Sequence, residues 1–236
     1  MLSTVSTALC AKSMISEFPR LGELASFHRE ISTSRFYGFP HSQHLEIEEV
    51  RRKFQALEED LSCLDQESWQ FLLNEARDLT LLKSDPRGWN QLFEKLNETK
   101  GYRYLQELGC SDIRFIPRST ATGIETPDLL GKLDARHIIC EVKTLNRSDN
   151  YYDRVRTPRV TEPPIALEDG MARKVESILS KALSQLLAFG SANDLRVVFL
   201  IVNYDYPFEY VENYNLGVRE IFRALRGERI EISVGT

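Results

Sequence analysis

The sequence has few cysteines, and they follow no spacing. Cys10, Cys63, Cys110 and Cys140 form no CxxC pair, so neither a zinc site nor a disulfide framework is expected. Reduced, partly buried thiols in a cytoplasmic protein are the expectation. No run approaches eighteen consecutive apolar residues, which excludes a membrane-spanning helix. The opening MLSTVSTALCAKSMISEF lacks a basic leader before a long apolar run. A secretory signal is therefore not expected, and an organelle transit segment is left open. There is no GxGxxG or GxxxxGK[ST] phosphate loop, no GxSxG elbow and no HExxH pair. No internal repeat is visible.

What is present fits a globular chain. The 236 residues are 42% hydrophobic and 28% charged, enough for one generous domain or one domain with an extension. The net charge of −5 argues against coating nucleic acid by charge alone. The charge is uneven, however. Residues 1–99 hold 11 basic and 16 acidic side chains, residues 100–159 hold 11 and 8, and residues 160–236 hold 8 and 11. A basic middle between acidic flanks is compatible with a local phosphate-facing surface, and equally with charge scatter.

Residues 1–45 read as irregular, with a short helical possibility near residues 9–18. Two helices follow. In 46–61, Val50, Phe54, Leu57 and Leu61 recur at helical spacing. In 65–79, Trp69, Leu72, Leu73, Ala76 and Leu79 form the apolar face, with Asp65 or Ser68 as the cap. KSDPRG at 83–88 breaks the pattern, so a helical N-terminal extension of 1–85 and a second domain of 86–236 are expected. A helix over 88–109 has Leu92, Phe93, Leu96, Tyr104, Leu105 and Leu108 inward and Gly109 as its stop. Strands follow at 112–117, 126–134 and 136–144, the last two as a hairpin. Residues 144–170 read as a long loop. The segment 171–190 is an amphipathic helix carrying Val175, Ile178, Leu179, Ala182, Leu183 and Leu186. The apolar run 195–203 is a buried strand. A helix over 215–227 and an edge strand over 229–234 close the chain. The fold class is α/β, with αβββαβ order over residues 88–202.

Chemistry concentrates on the hairpin. Pro127 and Asp128 open one strand, and Glu141, Val142 and Lys143 lie near the end of the next. Strand side chains alternate, so Glu141 and Lys143 share a face while Ile138, Cys140 and Val142 take the other. Asp128 beside them would make two carboxylates and an ammonium converge, a hard oxygen site for Mg²⁺. Each also has a plain reading: Asp128 as a turn residue, Glu141 and Lys143 as a surface pair. His137 shares the parity of Glu141, but a lone histidine at a strand start is more often structural.

TPD at 126–128 and CEVK at 140–143, placed in αβββαβ order, resemble the PD-(D/E)xK phosphodiesterase superfamily of restriction-endonuclease-like and Holliday-junction-resolvase-like nucleases. The resemblance covers residues 88–202 and implies a restriction-endonuclease-like core. It implies metal binding by Asp128, Glu141 and the Val142 carbonyl, with Lys143 catalytic. It also implies a further metal ligand on the preceding helix, Glu98, with Glu94 as the alternative. Gln185 and Lys181 are similar to the polar residue often found on the following helix. The implied activity is a Mg²⁺-dependent nuclease, with Mn²⁺ substituting, acting on DNA rather than RNA. Arg147, Arg154, Arg156 and Arg159, with Tyr151 and Tyr152, would grip the backbone from the long loop. The alternative is an inactive module of the same fold, for nucleic-acid binding or protein assembly. The N-terminal helices would then serve a homodimer or a protein partner. No membrane partner is expected.

Overall fold

The computed structural model describes residues 17–26, 48–80, 88–119, 125–145 and 169–202. The chain is mixed α/β and divides into two compact units, 1–109 and 110–236. The boundary region expected near 83–87 lies outside the described residues. The division falls after Gly109, so the helix beginning at Gly88 belongs to the first unit.

The first unit holds α1 (Pro19–Ser26), α2 (Glu48–Ser62), α3 (Gln66–Thr80) and α4 (Gly88–Glu107). Helix α1 corrects the expectation of an irregular front segment. Pro19 fits the first helical position, where its missing N–H is no loss. The cap comes from far along the chain. Both carboxylate oxygens of buried Glu58 accept from the first free amides, Arg20 N and Leu21 N, each at 2.9 Å. In return the Arg20 guanidinium donates to Leu61 O in the last turn of α2 and, at 2.8 Å, to Leu64 O just past its end. It also lies 5.1 Å from the Trp69 ring centroid. Phe18, Leu21 and Leu24 are thereby sealed into the core.

Asp65, not Ser68, caps α3: its Oδ1 accepts from Ser68 N at 2.7 Å. Trp69, Leu72, Leu73 and Ala76 are buried as expected, while Leu79 is only half-buried. Helix α4 departs further from its apolar pattern. Leu92, Leu96 and Leu105 are buried, Phe93 and Tyr104 are half-buried, and Leu108 is exposed. Lys95, Asn97, Glu98 and Thr99 are buried in the interval. Gly109 ends the helix as expected, at φ +81°, where a side chain would be strained.

The second unit is built on a four-stranded sheet in the order β1-β2-β3-β4. The strands are β1 (Ser111–Phe115), β2 (Leu129–Leu133), β3 (Arg136–Leu145) and β4 (Leu195–Val202). The first three run antiparallel in turn, and β4 runs parallel to β3 after the crossover helix α5 (Asp169–Phe189). The β2–β3 turn places Asp134 at φ 55°, a conformation aspartate tolerates, and holds the hairpin register. Val175, Leu179, Ala182 and Leu186 of α5 are buried, Ile178 is half-buried, and Leu183 is exposed. Gly190 lets the helix end close to the sheet, since a Cβ there would lie 2.7 Å from Ile139 Cδ1.

Among the described residues, Cys63, Cys110 and Cys140 are free thiols, and no helix is long and apolar enough to cross a membrane. The helix expected at 215–227 and the strand at 229–234 lie outside the described residues.

Candidate metal centre

The β2–β3 pairing ends at Leu129 opposite Cys140, so β3 runs on beyond β2. One step past that pair, Asp128 stands opposite Glu141, on one face of the hairpin. Asp128 is pinned by its own backbone and by its side chain. Its carbonyl accepts from Ile116 N at 2.9 Å, and its Oδ2 accepts from Val142 N at 2.8 Å. The carboxylate therefore bridges to the next strand. The N–H and C=O of a strand residue leave along the same edge. The Val142 carbonyl accordingly points to the Asp128 side, where β2 has ended.

Glu141 is only 2% exposed. Its Oε1 takes the Lys143 ammonium, while its buried Oε2 has no hydrogen-bond partner. Burial and then the charge of Asp128 push its pKa up to about 7, against the pull of Lys143. Lys143 also donates to Gln185 Oε1 of α5 at 3.1 Å. The crossover helix thus holds the ammonium from above the sheet while Glu141 holds it from within. Burial, with the Asp128 charge next, drives the Cys140 thiol well up, so it stays protonated and is no nucleophile.

The structure brings together Asp128, Glu141, Val142, Lys143 and Gln185 from the expected set. Lys181 lies on α5 one turn before Gln185, and its ammonium is 3.0 Å from Glu125. Nothing in the residue pattern pointed to Glu125 as its partner. His137 turns to Asp194, at 3.8 Å, and lies roughly 13 Å along the strand from Glu141, four residues at strand spacing. Glu98 belongs to the first unit. It is buried there, with Lys95 Nζ at 2.7 Å from one oxygen and 2.8 Å from the other. Glu94 is exposed on the same helix. Arg147, Arg154, Arg156 and Arg159, with Tyr151 and Tyr152, lie outside the described residues.

Among the described residues no three or more His, Cys, Asp or Glu side chains gather as a metal cage. The centre instead offers two carboxylates, one with an orphaned buried oxygen, and a backbone carbonyl. That donor set suits a hard cation that keeps several waters, as Mg²⁺ does.

The raised pKa of Glu141 has a measurable consequence. An acid whose pKa rises on folding contributes stability that is complete below its ordinary value of 4.5 and lost as pH rises through about 7. In EDTA the protein should lose stability over that interval, by at most about 1.4 kcal/mol per pH unit for one proton. Glu141→Gln should flatten this limb and stabilise the protein above it. Thermal unfolding across pH measures both, and a variant as steep as the parent contradicts the assignment.

No family model matches the chain, and no curated protein matches it. Among solved structures, SfsA of Pyrococcus furiosus, determined in complex with Ca²⁺, is similar over 64% of this chain at 16% identity and a TM-score of 0.25. The chain spans 57% of the length of that protein.

Proposed function

We propose that the protein is a metal-dependent nuclease of the PD-(D/E)xK type, built on a restriction-endonuclease-like core and cutting phosphodiester bonds in DNA. The observation that carries this reading is Glu141. A carboxylate buried to 2% exposure, opposite a second carboxylate, with Lys143 on one oxygen and no partner on the other, is costly in its charged form, and a metal ion on the open oxygen would offset that cost. The βββαβ order of the second unit and the TPD and CEVK residues support the family assignment. The choice of DNA over RNA follows from the resemblance.

Asp128, Glu141 and the Val142 carbonyl would hold Mg²⁺, or Mn²⁺ in its place. Bound there, the ion supplies charge neutralisation at the scissile phosphate and a water of lowered pKa. Lys143 supplies a compact positive charge next to the ion, to orient the attacking water or steady the developing negative charge. Gln185 fixes that ammonium by accepting from it, so the charge is aimed before substrate arrives. Val142 N–H fixes Asp128 by donating to its Oδ2. The inactive-module reading would be favoured by carboxylates on opposite faces, whereas Asp128 and Glu141 share one.

Isothermal titration of Mg²⁺ or Mn²⁺, with a DNA duplex present, tests the metal. The protein should bind near or below millimolar concentrations. Asp128→Ala should remove most of that binding while circular dichroism stays unchanged. Absence of binding to the unmodified protein would defeat the proposal.

A further inference from the structure

Lys181 and Glu125 form an ion pair that joins the two elements framing the centre. Lys181 shares a helix face with Gln185, the residue that holds Lys143. Glu125 lies three residues before Asp128, in the extended segment that leads into β2. Their charged atoms are 3.0 Å apart, and the side chains are 60% and 50% exposed. So open a pair contributes little to stability, and it opens at little cost. Its location is what matters. A phosphodiester chain approaching Asp128 and Glu141 meets three carboxylates, Glu125 included. The ammonium of Lys181 is engaged with one of them. An arriving phosphate can take the place of the Glu125 carboxylate on Lys181, because both are anionic oxygen acceptors for the same donor.

We propose that Lys181 is a phosphate-binding residue of the site, and that Glu125 occupies it as a carboxylate stand-in until a backbone phosphate displaces it. Glu125 thereby sets a threshold for substrate entry. A strand delivering a phosphate in register with the centre gains Lys181, and other anions face the Glu125 charge. This inference rests on the nuclease reading.

The test is fluorescence anisotropy of a labelled single-stranded oligonucleotide with the full chain, in EDTA over a salt series, beside a Mg²⁺ cleavage assay. Lys181→Met should weaken binding several-fold and lower the salt slope by about 0.7, the value for one phosphate on a single strand. Glu125→Gln should tighten binding several-fold. In the Lys181→Met background that gain should shrink, because Glu125 acts through Lys181. Lys181→Met with unchanged affinity and slope, while Asp128-dependent cleavage persists, overturns the inference and leaves the nuclease reading standing. An equal gain from Glu125→Gln in both backgrounds overturns the stand-in role. If the unmodified protein shows no Asp128-dependent cleavage, both readings fall.

Discussion

Lys143→Ala should retain the metal and lose the reaction. The ammonium touches Glu141 Oε1 and Gln185 Oε1, so it is held in place and does not sample solvent freely. Its removal has two opposed effects on metal affinity. Glu141 loses the neighbour that favours its charged form, but the ion loses a like charge beside it, so affinity should change little. The rate behaves differently, because the interaction with developing negative charge forms mainly in the transition state. A drop of roughly 10²–10³-fold is expected, the range for losing one preorganised charge-stabilising donor. Lys143→Arg should rescue poorly, since a planar guanidinium cannot put a compact charge where Gln185 and Glu141 hold it. Single-turnover cleavage with saturating Mg²⁺ reads the effect. Normal cleavage by Lys143→Ala would reduce the CEVK match to coincidence.

The second large effect falls on stability. Lys95 is buried in the helical unit with its ammonium 2.5 Å from Glu75 and 2.7 Å from Glu98. Burial opposes its charge, yet Glu98 and Glu75 outweigh that cost and hold the ammonium above its ordinary range. Lys95→Met would take the ammonium from both carboxylates and leave the buried Glu98 charge facing that of Glu75. Breaking a buried pair in this way costs about 3–5 kcal/mol. Replacing Glu98 as well, in Lys95→Met/Glu98→Leu, should recover much of the loss, because Glu75 is partly open to water. Both tryptophans, Trp69 and Trp89, lie in this unit, so their fluorescence during urea unfolding reports on it directly. A loss below ~1 kcal/mol would show that the cluster is hydrated rather than buried, as exposed pairs are.

The sheet and its hairpin were legible because their signals are local. Two apolar runs joined by a tight turn mark β2 and β3, and Asp134 suits that turn. Strand parity put Glu141 and Lys143 on one face, whereas Asp128 and Gln185 were joined to them only through the resemblance to the PD-(D/E)xK superfamily. Helix α1 was not legible. Residues 1–45 read as irregular, and the cap that stabilises the helix is Glu58, 38 residues from Arg20. Helix α4 hid its packing because Lys95 and Glu98 are buried through a partner on another helix, Glu75. Leu108 and Leu183 carry the right periodicity but face outward, since spacing defines a stripe and not its width. The Lys181–Glu125 pair depends on where the crossover helix lies over the sheet, which no local pattern encodes.

The most direct measurement is cleavage of supercoiled plasmid, single-stranded and branched DNA by the purified full chain, with Mg²⁺, with Mn²⁺ and with EDTA, against Asp128→Ala prepared identically. Metal-dependent cutting of at least one substrate by the unmodified protein, abolished in EDTA and in Asp128→Ala, is the predicted result. No cutting with either ion, or equal cutting by Asp128→Ala, would contradict it.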